Sequence, residues 1–175
     1  MFNDFFNFIG TNTKEDCIDY NDFLIKNAGK TFLNGMYRIH TTKNMIKWTT
    51  IITESFPEYK GSLIAFGFDW LGRNFVLDKT RDIVLIFEPG TREVLNTAVS
   101  FADFHNIEIV KYHNECLAST FFNKWYESNY HYILKHDKCA GYKVPLFLNG
   151  SDTIENLEIS NMEVYWEIMM SLINL

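Results

Sequence analysis

Two HxxC pairs, His113-x-x-Cys116 and His136-x-x-Cys139, stand nineteen residues apart. Zinc takes four nitrogen or sulfur ligands in a tetrahedron, and paired spacings of this kind can supply them. The first pair lies in a stretch that reads as helix, where positions i and i+3 share a face, so the geometry is open to a metal. Against it, structural zinc knuckles usually carry CxxC in glycine-rich turns, and Cys116 and Cys139 read equally as small buried hydrophobes with histidines nearby. No metal or other cofactor is expected. Nucleophilic catalysis has less support: there is no GxSxG elbow, and Ser151 follows Gly150 without a base that names itself. The pairs Cys116/His105 and Cys139/His136 are combinations that any chain with three Cys and five His allows. No turn gathers the several glycines that a phosphate cradle needs.

Carboxylates are the other candidates. Asp152, Glu155, Glu158 and Glu163 fall within twelve positions. Such a cluster reads as a glycosidase-type acid and base, as a solvated face with charge at a helix start, or as an acidic patch for a basic partner. Further upstream, Gly67 and Gly72 flank Asp69 and Trp70, with Arg73 next. That segment reads as an exposed recognition turn or, with better support, as a hairpin whose glycines permit unusual backbone angles while Trp70 fills the core. The residues assigned to face a partner are Asp69, Asp152, Glu155 and Glu158. No residue is assigned to catalysis or to metal.

The elements that would position these groups follow from pattern. Lys14 to Ala28 reads as a helix closed by Gly29. Thr31–Ile39 reads as a strand or turn around Asn34-Gly35. Met45, Trp48, Ile52 and Phe56 recur at three or four residues and predict a helix over Thr42–Ser55, stopped by Pro57. Ser62–Phe68, Asn74–Asp78 and Asp82–Glu88 are apolar runs between short polar segments, with Glu93–Val99 a fourth candidate strand; too little chain separates them for crossover helices, so they should pair antiparallel. Ser100 to Asp103 has the outline of a capping box and opens a helical region to about Ser128, with Leu117, Phe121, Phe122 and Trp125 inward. Asn129–Ala140 reads as loop or frayed helix. Val144–Leu148 and Ile154–Ile159 read as short strands around Asn149-Gly150. Ser160 to Glu163 reads as a second capping box, opening a terminal helix with Val164, Ile168, Met169 and Leu172 on one side. Helices, then strands, then helices make an α+β layout.

At 175 residues the chain is expected to be one domain, residues 1–175, with 1–13 a possible N-terminal arm. Hydrophobic residues at 47% and charged residues at 22% argue against disorder. A net charge of −6 argues against bare nucleic acid or an anionic membrane as partner, since both demand positive charge, and favours something basic. No apolar run approaches the roughly 18 residues of a membrane span. The N-terminal MFNDFFNFIG lacks the basic residue and unbroken apolar stretch of a signal peptide, so the expected compartment is the cytoplasm, where three cysteines stay as thiols.

Two segments carry a resemblance to a known family. One is Gly67-Phe-Asp-Trp-Leu-Gly-Arg-Asn-Phe-Val-Leu-Asp78, followed by Phe87-Glu-Pro-Gly-Thr91, Glu93-Val-Leu95 and Phe104-His-Asn106. The other, more specific, runs from Cys139-Ala-Gly-Tyr-Lys-Val-Pro to Asn156-Leu-Glu158, then Met162-Glu-Val-Tyr-Trp166. Together they resemble the type VI secretion immunity proteins whose characterised members neutralise a DNase toxin, a family close to the wider SUKH superfamily. The resemblance covers roughly Gly35 to Leu172. One departure is Asn149, where a second glycine is expected before Gly150. What the resemblance implies is a non-enzymatic, SUKH-like antiparallel sheet packed with helices, whose partner is a cognate toxin domain with a basic nuclease surface. It transfers no interface residues, because the shared Gly67, Trp70, Gly72, Gly141, Pro145 and Gly150 are of types that build turns and cores. Two readings compete: a zinc-stabilised protein or small hydrolase using His113, Cys116, His136 and Cys139, and an interaction module of the same fold without a toxin.

Overall fold

The computed structural model describes residues 1–10, 17–59 and 61–172. Strands β1 (Thr31–Phe32), β2 (Tyr37–Ile39), β3 (Leu63–Asp69), β4 (Asn74–Asp78), β5 (Ile83–Phe87) and β6 (Val94–Asn96) form one sheet in chain order. Every neighbouring pair is antiparallel, as the short connections from β3 to β6 require; β2 and β3, joined through a helix, pair antiparallel as well. A second, two-stranded antiparallel sheet joins β7 (Lys138–Tyr142) to β8 (Leu157–Asn161). The fold is thus α+β in a single domain, in agreement with the sequence.

The interiors of the central strands are apolar because both faces of the sheet are covered. Phe75 and Leu77 of β4 and Val84 and Ile86 of β5 face one core; Val76, Leu85 and Phe87 face the other. The first core is closed by α1 (Asn3–Phe8), α2 (Tyr20–Asn27) and the helical stretch from Phe101 to Ser128. Phe2, Phe5 and Phe6 pack there with Phe23, Phe101 and His105, so the N-terminal segment is part of the core. The second core is closed by α3 (Thr42–Ser55) through Trp48, Ile52 and the adjoining Phe56, and by the C-terminal α8 (Met162–Ser171) through Tyr165, Trp166 and Met169.

Local chemistry sets the ends of these helices. Thr41 caps α3, its side chain accepting from Asn44 N–H at 3.2 Å. Ser100 caps α4 (Phe101–Asp103) by accepting from Asp103 N–H, as anticipated, but the reciprocal half of the box is replaced: the Asp103 carboxylate accepts from the Ser100 hydroxyl rather than from its backbone N–H. From there the chain makes one π-helical turn (Phe104–Glu108) and runs through α5 (Ile109–Lys111), α6 (His113–Leu117) and α7 (Ser119–Ser128).

Three expectations are corrected. Of the helix drawn over Lys14–Ala28, only Tyr20–Asn27 is helical among the described residues, capped by Asp19; Lys14–Asp16 lie outside them. Val144–Leu148 is not a strand: Pro145 has no N–H to give a ladder, and a 3-10 turn over Leu146–Leu148 follows it. In α8 the cap is Asn161 rather than Ser160, and the buried stripe is Met162, Tyr165, Trp166 and Met169, which leaves Val164 and Ile168 about half exposed. The large aromatic rings, not the branched aliphatics, take the core side.

The turn after Pro145 depends on two residues. Asn149 holds the left-handed conformation at φ 63° that its side chain tolerates. Gly150 donates to Pro145 O, and a Cβ on it would lie 1.9 Å from Val144 O, so no other residue fits without moving backbone. Gly150→Ala should therefore cost about 3 kcal/mol, lowering Tm by roughly 6–12 °C in calorimetry, whereas Asn149→Ala should cost about 1 kcal/mol. Equal melting of wild type and Gly150→Ala would contradict this geometry.

Candidate functional site

The β3–β4 turn is built around one carboxylate. Asp69 Oδ1 accepts from Leu71 N–H at 3.0 Å and Arg73 N–H at 2.9 Å, and Oδ2 takes the Arg73 guanidinium at 2.6 Å. Gly72 supplies the left-handed φ of 81° that closes the turn. Trp70 is fully buried, its indole N–H donating to Leu117 O at 3.0 Å. The hairpin reading of this segment therefore holds, and Asp69 is corrected: it is wholly buried and cannot meet a partner. A sequence motif of glycines around Asp and Trp has the same appearance whether the turn is docked or exposed.

Arg73 reaches a second carboxylate, Glu88 Oε2, at 3.5 Å, and donates to Cys116 O at 2.9 Å. Burial alone would weaken its hold on its proton, but Asp69 and Glu88 outweigh that and keep the guanidinium above its ordinary range. Glu88 is pushed up to about 7, by burial first, with the Arg73 charge pulling the other way. Arg38 is also fully buried, donating to the carbonyls of Asp69, Lys135 and Lys138 and lying 4.3 Å over the Phe68 ring. Sequence reasoning missed Arg38, Arg73 and Glu88. The available signal was a charge embedded in an apolar run: Arg38 between Tyr37 and Ile39, and Glu88 between Phe87 and Pro89.

The HxxC residues serve separate structural ends. His113 Nδ1 bonds Ser119 Oγ at 2.7 Å, and His136 Nε2 donates to Ile39 O at 2.9 Å. Cys116 donates weakly to Glu108 O, and Cys139 packs under Gly72 and is fully buried. Burial pushes both thiols up to about 12, where they are neither nucleophiles nor ready metal ligands. Among the described residues no three His, Cys, Asp or Glu side chains gather closely enough to hold a metal ion. His105 is spent between Phe101 O and the Tyr37 hydroxyl, each at 2.8 Å, and does not pair with Cys116.

The remaining three sequence candidates lie at the surface, in and beside the β7–β8 hairpin. Asp152 sits in its connection and accepts from the Tyr142 hydroxyl at 2.6 Å. Glu155 follows, with its backbone oxygen taking Lys143 Nζ at 2.8 Å. Glu158 is on β8, opposite Gly141. Buried Asn156 fixes the connection: its amide donates to Val144 O and Ser151 O and accepts from Val144 N–H. No sequence signal distinguished this asparagine from a surface one. Residues 144–175 contain Asp152, Glu155, Glu158, Glu163 and Glu167 and not one Lys, Arg or His, so most of the net charge of −6 resides there. Glu163 is neutralised by Lys47 of α3. By contrast, the apolar groove of about 450 Å³ between α2 and α3, lined by Leu24, Ile25, Met45 and Ile46, has no titratable side chain in its wall.

One comparison with known proteins falls on this region. Residues 108–173 match the family described as T6SS immunity protein Tdi1, C-terminal. That span takes in α6, α7 and the whole β7–β8–α8 unit, and the match supports a type VI secretion immunity protein, the family named by the sequence resemblance. Among solved structures, the crystal structure of Atu4351 from Agrobacterium tumefaciens is similar, with a TM-score of 0.63 and 15% identity over 86% of this chain and 73% of that chain. At that identity the likeness is one of fold. The comparison with curated proteins gave no match.

The buried charges generate a pH prediction. Glu88 holds its proton near pH 7 in the folded chain against an ordinary value of 4.5. Its contribution to stability is therefore complete below the unfolded value and is lost as pH rises through 7. Relative to Glu88→Gln, wild type should lose roughly 3 kcal/mol between pH 5 and pH 8 in denaturant titrations. A difference that stays constant with pH would refute the raised carboxyl.

Proposed function

We propose that this chain is a cytoplasmic immunity protein that binds a cognate toxin domain, a nuclease, and neutralises it by covering its active surface. The observation that carries the reading is the match of residues 108–173 to the Tdi1 C-terminal family, a span that encloses the acidic hairpin. The resemblance to DNase-neutralising immunity proteins supports the nuclease, and SUKH-like kinship with it. Charge agrees: a nuclease holds phosphates and so presents a basic groove, onto which an acidic surface is steered over a Debye length of about 10 Å. The protein acts by occupying a surface, which requires no reacting group of its own. Among the described residues no helix is long and apolar enough to cross a membrane, which is compatible with the cytoplasm.

Asp152, Glu155 and Glu158 remain the proposed partner-facing carboxylates, with Asp152 also tethering the connection through Tyr142. The test is co-purification with the toxin domain encoded by the neighbouring reading frame. A stoichiometric complex with loss of nuclease activity is expected; no complex between folded partners would leave an interaction module without a toxin. Reversing Glu155 and Glu158 to Lys should slow association about tenfold at low salt, with the two proteins converging as salt rises, and should move stability by no more than about 0.5 kcal/mol. An unchanged association rate would remove these residues from the interface.

A further inference from the structure

β8 has one bonded edge and one open edge. Its register pairs Glu158 with Gly141 and Ser160 with Cys139, and the same ladder is extended by Lys143 N–H to Asn156 O and Met162 N–H to Asp137 O. The backbone groups of 156, 158, 160 and 162 therefore face β7, and those of Leu157, Ile159 and Asn161 face away. Leu157 N–H turns back to Ile154 O. The Leu157 carbonyl, both backbone groups of Ile159 and the Asn161 N–H find no protein partner among the described residues. The opposite edge of the hairpin is not open in this way: Ala140 N–H bonds Trp70 O, Tyr142 N–H faces the Tyr165 hydroxyl, and Lys138 O accepts from Arg38.

Proteins usually guard a free edge with short strands, charged side chains (Lys above all), Pro, a bulge or a covering element, and β8 has only its five-residue length and the charge of Glu158. The β8 sequence, Leu-Glu-Ile-Ser-Asn, has neither Lys nor Pro, and its pairing runs without a register shift. Ile159, at the centre of the open edge, is 41% exposed. The flanking charges are the exposed carboxylates of Glu155 and Glu158; residues 144–175 hold no basic side chain, and the nearby cation, Lys143, is bonded to the Glu155 backbone oxygen, leaving an acidic excess beside the edge. These features select the occupant. A second copy of the chain would bring the same carboxylates against each other across the new ladder, which is unfavourable. An extended segment bearing Lys or Arg would satisfy the backbone groups, cover Ile159 and neutralise the carboxylates together.

We propose that the outer edge of β8 receives an extended, positively charged segment of the toxin domain as a third strand of the β7–β8 sheet. This is recognition by strand addition, with main-chain bonds supplying affinity and the flanking charges supplying selectivity. It rests on the immunity reading and specifies where that reading acts.

Proline at position 159 tests the edge directly. The Ile159 N–H points outward, so Ile159→Pro deletes a donor to the partner and none to β7, and Glu158 before it is already in the extended conformation that precedes proline. Ile159→Pro should fold and lose toxin-domain affinity by about tenfold or more, while Ile159→Thr, which keeps the N–H, should lose less. Glu158→Pro, whose N–H bonds β7, should instead damage the fold. Should Ile159→Pro fail to fold, hydrogen exchange on wild type gives the answer: the Ile159 and Asn161 amides should slow by about tenfold or more when the toxin domain is bound. Wild-type affinity in a folded Ile159→Pro, or unchanged exchange at both amides, would overturn the edge while leaving the immunity reading intact. Absence of any complex with wild type would overturn the immunity reading and this occupant with it.

Discussion

Asp69 and Arg73 meet at 2.6 Å inside the molecule, and the other parts of the chain are fastened to the turn they make. Trp70 N–H takes Met36 O from the β2 side, and Trp70 O takes Ala140 N–H from β7. The Trp70 indole and the Arg73 guanidinium reach the ends of α6 at Leu117 O and Cys116 O. Trp166 of α8 donates to Gly72 O at 2.7 Å, and Arg38 links Asp69 O to the carbonyls of Lys135 and Lys138. Sheet, hairpin and both helical layers thus converge on five residues. A buried ion pair gains little against an apolar substitute, but removing one partner strands a charge at a cost of about 3–5 kcal/mol. The pair therefore specifies geometry: the elements can assemble only where its hydrogen bonds are complete.

Glu88 adds a second carboxylate to one guanidinium, and its burial first, then the neighbouring Asp69 charge, outweigh the pull of Arg73 and hold its proton to near neutral pH. The cluster therefore loses stability as pH rises through neutrality. It lies beneath the hairpin: Tyr142, which Gly90 packs against, carries the hydroxyl that holds Asp152. The connection bearing Asp152 and Glu155 is thereby referenced to the same buried charges as the sheet, so the surface carboxylates are displayed from a rigid base.

Much of the fold was legible because its signals are local. The α3 helix has its period written in Met45, Trp48, Ile52 and Phe56 and its stop in Pro57, and it spans the expected residues. The β3, β4 and β5 runs were visible because strands buried on both faces are continuously apolar. The misses share a different cause. Whether α8 buries Val164 or Trp166, whether Asp69 points in or out, and whether Asn156 is a plug or a surface amide are decided by which distant element arrives on top. The HxxC pairs failed as a site for the same reason: spacing is local, whereas bringing Cys116 and Cys139 to one point is not. Asp152, Glu155 and Glu158, which stand as a proposal, were singled out by composition, and the open β8 edge beside them was not, since it exists only once β7 has taken the other side.

The charges divide into two populations with opposite logic. Interior ions come with counterparts: Asp69 and Glu88 with Arg73, and Arg38 with three carbonyls and an aromatic face. Such groups answer to the fold, and changing one changes stability. The C-terminal carboxylates have few counterparts: nothing basic lies within residues 144–175, and among the described residues Glu163 pairs with Lys47 of α3 while Glu155 lies near Lys143 of the same hairpin. Self-repulsion of this kind gives the fold nothing, and a solubility role would be served by carboxylates spread over the whole surface. The acidic excess is concentrated in one hairpin and its following helix, since the other seventeen carboxylates are nearly balanced by sixteen Lys and Arg; it lies beside a strand edge whose hydrogen bonds are unmade among the described residues, which fits the proposed partner of opposite charge.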